Sequence, residues 1–237
     1  MPIYKIADLA FRTECKGEYL KNLLQPYIFD SAEYRFNICV NKNDLEYEKK
    51  IAPNFSWQMY ESSAVLRQLS NKITEYDGIL FHGAAIEYNK TAYLFCAPSG
   101  TGKTTHIMLW KKLLGDKVTV INGDKPFVRL KDGVPIVYGS PWQGKENLGT
   151  NTKCRLGGIV FVNRSAKNYA VPLSPADSVF KLLSSAAYKK TTDGTLQTLR
   201  LLEEITKQIR LFDLFCNMED DACRTALAAL TEDSNEN

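Results

Sequence analysis

The sequence predicts a mixed α/β fold, a mixed sheet with flanking helices behind a β-rich N-terminal lobe, and three observations predict it. From residue 79 onward, short β-branched and aromatic runs alternate with stretches of helical periodicity. Pairs of these runs meet across very short turns, the signature of hairpins. One run leads straight into a glycine-rich turn that opens a helix, Ala97-Pro98-Ser99-Gly100-Thr101-Gly102-Lys103-Thr104. At 237 residues the chain is close to the size at which one hydrophobic core stops growing, so one domain, with or without an appended lobe, is expected.

Residues 34–40 (YRFNICV) alternate as a half-buried strand, and the rest of the first 75 residues mixes short aromatic-rich pieces with polar turns. That sets 1–75 apart as the β-rich lobe and 76–230 as the core. ILFHGAAIEY (79–88), an Asn89-Lys90 turn and TAYLFC (91–96) form a hairpin that delivers the chain into the glycine-rich turn. MLWKKLL continues as a helix stopped by Gly115, because a residue without Cβ enters the left-handed region freely. VTVIN (118–122) is a buried-type strand, and PFVRL and PIVY flank the Lys131-Asp132-Gly133 turn as another hairpin. The long polar loop GSPWQGKENLGTNTK precedes GGIVFVN, a further core strand; loops of that length usually bind something or move. Ser174-Pro175-Ala176-Asp177 starts a helix with a capping hydroxyl, a proline where no donor is needed and an acid in the first turn. KKTTDGT (189–195) reads as a mobile loop, LQTLRLLEEITKQ as a helix, IRLFDLF as a strand, DDACRTALAAL as a last helix and 231–237 as a disordered tail.

A formal charge of +3 is too weak for a chain-wide claim on nucleic acid. Residues 103–167 carry twelve basic side chains against Asp116, Asp124, Asp132 and Glu146, so an anionic ligand belongs in the middle of the chain. Six scattered cysteines and two histidines, His82 and His106, give no zinc spacing. No signal-type leader and no run of about 18 apolar residues is seen, so a cytoplasmic protein with free thiols and no membrane contact is expected.

The glycine-rich turn fits the phosphate-binding pattern G-x-x-x-x-G-K-S/T, with Ala97 at its first position. Pro98, Ser99, Gly100, Thr101, Gly102, Lys103, Thr104 and Thr105 are the candidate nucleotide contacts. Gly100 and Gly102 let backbone N–H groups turn inward around a polyphosphate, Lys103 reaches the β- and γ-phosphates, and the Thr104 hydroxyl takes a Mg²⁺ position. At the end of the following strand stands Asn122-Gly123-Asp124-Lys125, where an acid can hold Mg²⁺ as a hard oxygen ligand. Motor ATPases usually place a glutamate after that aspartate; Lys125 argues against a hydrolytic motor. The plain alternative for Asp124 is a turn residue after a strand.

His82-Gly83, the hairpin into APSGTGKTT, NGD, the Gly139-Ser140-Pro141-Trp142 loop and PLSPADSVFKLL together resemble the HPr kinase/phosphorylase and phosphoenolpyruvate carboxykinase superfamily, and more narrowly its small HPr kinase-like proteins. The resemblance spans about residues 79–230. It implies a P-loop core of that type, Lys103 and Thr104 on the phosphates and Mg²⁺, Asp124 in the acidic position and His82, on a strand, near the reacting centre. HPr kinases carry two adjacent aspartates after that strand, the first acting as base; here Gly123 stands in its place. Asp124 then serves both metal and base, or His82 or Glu146 substitutes. In the Trp142 loop, Lys145 is a candidate for transition-state charge and Glu146 for a metal contact, against the alternative of a solvated pair. His106 reads as structural.

The reading is an ATP-dependent kinase that moves the γ-phosphoryl group to a hydroxyl of a peptide, protein or small molecule. Its rival is a catalytically weak nucleotide-binding accessory or scaffold protein. The acceptor, ATP versus GTP, and whether the chain forms a homo-oligomer stay open.

Overall fold

The computed structural model describes residues 1–98 and 100–231, so Ser99 and positions 232–237 of the expected tail lie outside the described residues. Two strands, β1 (Ile3–Ile6) and β2 (Leu9–Thr13), turn through Ala7 and Asp8, whose φ values of 51° and 60° suit a tight hairpin. Helix α1 (Glu18–Leu24) follows, and β3 (Phe36–Ile38), inside the expected 34–40 strand, pairs parallel with β2. The expected N-terminal sheet is therefore present. Helices that the sequence reading did not single out accompany it: α1, α2 (Lys42–Ile51), held by a reciprocal Asn41–Asp44 capping box, and α3 (Trp57–Ile73), capped by Ser56. The buried stripe of α3, Ala64, Val65, Leu69 and Ile73, keeps helical spacing, but Ser62, Ser70 and Glu61 are buried beside it and dilute the pattern. Val65, Leu69 and Ile73 pack with Phe11 and Phe36 of the small sheet and with Leu80, Phe127 and Tyr138 of the large one.

The large sheet is built from β4 (Gly78–Phe81), β5 (Gly83–Tyr88), β6 (Thr91–Cys96), β7 (Val118–Asn122), β8 (Phe127–Lys131), β9 (Val134–Tyr138), β10 (Lys153–Arg164), β11 (Tyr169–Pro172), β12 (Ala186–Ala187) and β13 (Arg210–Cys216). Helix α4 (Lys103–Leu114) follows β6, α5 (Pro175–Ser185) follows β11, α6 (Thr192–Thr206) precedes β13 and α7 (Asp220–Thr231) ends the described chain. The run 79–88 is not one strand: the chain breaks at His82, because β4 pairs with β8 and β12 whereas β5 pairs with β6 and β7. His82 therefore sits at a strand junction and not within a strand, its N–H donating to the Ser185 carbonyl at 2.7 Å. A second correction falls on 189–195, where Thr191 caps α6 and residues 192–195 already form its first turn.

Strand β10, 12 residues long, joins the two halves of the sheet: its start pairs antiparallel with β9, and its later part lies parallel between β6 and β13. Successive residues of this strand point to opposite faces. Val160 packs with α4 and α7 through Trp110 and Ala226, while Ile159 packs with α5 and α6 through Leu182 and Leu202. Parallel strands covered by helices on both faces leave a crevice at their carboxyl ends. The glycine-rich turn leaves β6 at that end.

Candidate active site

Gly100 has φ 76° and Gly102 φ 115°, and a Cβ at either would meet nothing within 4 Å. Backbone conformation, not space, therefore calls for glycine at these positions. Gly102 caps α4, and its carbonyl accepts the His106 N–H at 2.8 Å, so the first free amides of the helix open beside Lys103 and Thr104. Lys103, only 8% exposed, folds back to donate to the carbonyls of Ala97 at 2.7 Å and Pro98 at 3.3 Å. Burial pulls its ammonium below the usual lysine range; Asp124 and Cys96 oppose this and Lys125 adds to it. From the other side the Arg164 guanidinium donates to the Gly100 and Thr101 carbonyls, bracing the turn against the end of β10.

One cleft of about 510 Å³ brings together His82, Gly100, Gly102, Lys103, Thr104, Thr105, Gly123, Asp124, Gly144, Lys145 and Glu146. Of the remaining sequence candidates, Pro98 lines an adjoining cavity that also touches His82, and Thr101 lines a cavity on the β10 side of the turn. His82 Nε2 stands 3.5 Å from Asp124 Oδ1, and the Lys125 ammonium lies 3.3 Å from the same carboxylate. Burial, then the charges of Lys125 and Lys103, push the His82 imidazole below its ordinary value against the upward pull of Asp124, which favours the neutral ring.

Asn122 and Ser140 are part of this arrangement, and the sequence reading missed both. The buried Asn122 side chain accepts the N–H groups of Asp124 at 2.8 Å and Lys125 at 2.6 Å. Its amide donates to the Ser140 carbonyl at 3.0 Å and hydroxyl at 3.1 Å, and that hydroxyl donates to the Lys125 carbonyl at 2.6 Å. The turn carrying Asp124 is thus fixed by a side chain at its own start, an Asx turn for which Asn-Gly-Asp was the available signal.

Gly123 is packed under the long loop. Its N–H donates to the Leu148 carbonyl at 2.8 Å, and a Cβ there would lie 3.0 Å from the Gln143 carbonyl and 3.1 Å from that of Leu148. A side chain at 123 would have to displace backbone. The same loop returns at Gly144, φ 81°, against Asp124 and the Glu146 carboxylate, so the two acids flank one backbone position. Thr104, Asp124 and Glu146 supply hydroxyl and carboxylate oxygens, the hard donors that suit Mg²⁺.

The glycine-rich turn and its lysine thus stand in the crevice at the carboxyl ends of the parallel strands of a mixed α/β fold. No family model matches the chain, and no curated protein does. Among solved structures it is similar to the HPr(Ser) kinase/phosphatase from Coxiella burnetii, at 11% identity and a TM-score of 0.34, over 63% of this chain and 91% of that one. Among the described residues no helix is long and apolar enough to cross a membrane.

Proposed function

We propose that the protein is an ATP-dependent phosphotransferase that moves the γ-phosphoryl group to a hydroxyl acceptor. The observation that carries this reading is the shared cleft, in which a phosphate-turn lysine, an acid–histidine pair and a second lysine–acid pair face one space. The motif and the superfamily resemblance support it. Backbone amides at 100–105 and the Lys103 ammonium bind the phosphates. The acceptor oxygen forms a bond to the γ-phosphorus as the bond to the β–γ bridging oxygen breaks, ADP leaves, and the hydroxyl proton passes to Asp124. His82 beside it orients that carboxylate, and Lys145 offsets the charge that develops on the transferred group. Thr104, Asp124 and Glu146 would hold Mg²⁺, which when bound neutralises phosphate charge.

The second reading, a nucleotide-binding accessory protein, is favoured by Gly123, which stands where a second acid would and is crowded by the Gln143 and Leu148 carbonyls. Incubation with γ-labelled ATP, Mg²⁺ and fractionated extracts of peptides and small molecules separates the two. Label that moves to one fraction, and fails to move with Lys103→Ala, supports the kinase. Tight ATP binding with no transfer to any fraction supports the accessory role. In either case the nucleotide site is the same, and the work is proposed to take place in the cytoplasm.

A further inference from the structure

The loop between β9 and β10 carries Gly144, Lys145 and Glu146 into the cleft, and its two arms are held in different ways. The returning arm rests on the large sheet. The Thr150 N–H donates to the Ile121 carbonyl at 3.1 Å, the Leu148 carbonyl accepts the Gly123 N–H at 2.8 Å, and the Gly139 N–H closes the stem on the Thr152 carbonyl at 2.9 Å. The outgoing arm leans on the N-terminal part of the chain. The Trp142 indole N–H donates at 3.0 Å to the Ser62 hydroxyl of α3, 80 positions earlier, and Trp142 packs against the apolar cluster in which α3 joins the small sheet to the large one. Ser62 is 4% exposed, so this bond is shielded from competing water.

One residue, Gln143, separates Trp142 from the part of the loop that faces the cleft. The Gln143 side chain lies against Gly149, where a Cβ would come 2.8 Å from its Cδ, so the two arms touch across it. Beyond it Gly144, Lys145, Glu146 and Asn147 are all exposed. Gly144, φ 81°, and Asn147, φ 49°, take the chain through the left-handed region, and the Asn147 N–H donates back to the Gly144 carbonyl at 3.3 Å. An exposed turn of this kind has little packing of its own, so the resting place of its lysine and its acid is set by the anchors on either arm. On the outgoing arm that anchor is Trp142: its ring supplies buried area and its single N–H supplies direction.

We propose that Trp142, through its bond to Ser62, is a positioning residue for Lys145 and Glu146, which makes α3 a working part of the catalytic assembly. The proposal rests on the reading above, in which Glu146 meets Mg²⁺ and Lys145 meets the transferred group. Neither Trp142 nor Ser62 lines the cleft, so both act through the loop. Losing the indole N–H leaves an aromatic ring in place and frees the outgoing arm, and a misplacement of about 1 Å from a change remote from the chemistry can cost on the order of 10²-fold in rate.

Two measurements on Trp142→Phe and Ser62→Ala test it: calorimetric titration of ATP with and without Mg²⁺, and tryptic cleavage after Lys145 in protein free of nucleotide and metal. Mg²⁺ should tighten ATP several-fold in the unaltered protein. Each variant should lose most of that gain, down to the level of Glu146→Gln, while metal-free ATP binding and the melting temperature stay close to unaltered. Cleavage after Lys145 should quicken several-fold, with cuts elsewhere unchanged. Because the two residues act through one bond, the double variant should lose no more than either single one. A Mg²⁺ gain and a cleavage rate that both variants leave intact, or a double variant whose losses add, overturn the positioning role while the nucleotide reading stands. ATP weakened equally with and without Mg²⁺, together with a lower melting temperature, makes Trp142 a support of the fold and overturns it too. ATP binding indifferent to Mg²⁺ in the unaltered protein removes the metal contact the proposal needs and overturns it; absence of ATP binding under both conditions overturns the nucleotide reading as well.

Discussion

His82 and Asp124, 42 positions apart in the chain, fold into one contact: Nε2 to Oδ1 is 3.5 Å, and the Gly83 N–H holds the Asp124 carbonyl at 3.0 Å. The break between β4 and β5 delivers the histidine, and the end of β7 delivers the acid. Because the His82 side chain is 43% exposed, His82→Ala should leave the melting temperature within a few degrees and lower turnover by about 10²-fold, the usual scale for a group acting on proton transfer. A melted variant would make His82 a structural residue.

Asp124→Asn is expected to abolish label transfer while weakening ATP binding far less, because the carboxylate faces the space where metal and acceptor converge. Parallel transfer and calorimetric measurements check this. Equal loss in both would reduce Asp124 to a binding residue.

Asn122 joins Asp124, Lys125 and Ser140 in one buried network. Asn122→Ala strands several buried polar groups, so urea unfolding should report a loss of ~2 kcal/mol or more. Transfer should fall as well, while binding of tripolyphosphate, which calls on the glycine-rich turn, stays close to unaltered. Unchanged stability would contradict the network.

Gly123→Asp places a second acid beside Asp124, and the packing predicts that it fails. With the Gln143 and Leu148 carbonyls 3.0 and 3.1 Å from a Cβ, the loop bearing Lys145 and Glu146 must shift. Lower melting temperature together with lower transfer is the expected result. A gain in transfer at unchanged stability would show that the loop accommodates the second acid.

Asp8 ties the N-terminal hairpin to the large sheet through Lys153 at 2.6 Å and Tyr138 at 3.0 Å, with Lys131 at 3.8 Å. Burial alone would raise its carboxyl; the Lys153 and Tyr138 hydrogen bonds and the two lysine charges outweigh that and hold it below the usual aspartate value. The unfolded chain therefore takes up this proton first as the solution is acidified. The stabilisation is complete above about pH 4 and is lost as pH falls through the lowered value. Denaturant midpoints measured from neutral pH downward should show this acid loss, and Asp8→Asn should remove its contribution and lower stability at pH 7.

Much of the core was legible because its signals are local. The Asn89-Lys90 and Asp132-Gly133 turns adopt the positive φ values that their residues imply, and the Gly115 stop, the Ser174 cap and the Lys103–Asp124 proximity all follow from short motifs. The His82 break was not legible, because it depends on which distant strands β4 and β5 pair with. Helix α3 was obscured by buried Glu61, whose carboxylate accepts the Lys16 and Gly17 N–H groups at 2.7 and 2.9 Å, a contact 44 or more residues away.

Calorimetric titration of Mg²⁺-ATP into the protein and into Lys103→Ala tests the central claim most directly. The unaltered protein should bind one nucleotide, and the variant should bind at least tenfold more weakly with its fold preserved. Absence of heat in the unaltered protein, or the same affinity in both, would contradict a triphosphate seated on the turn between β6 and α4.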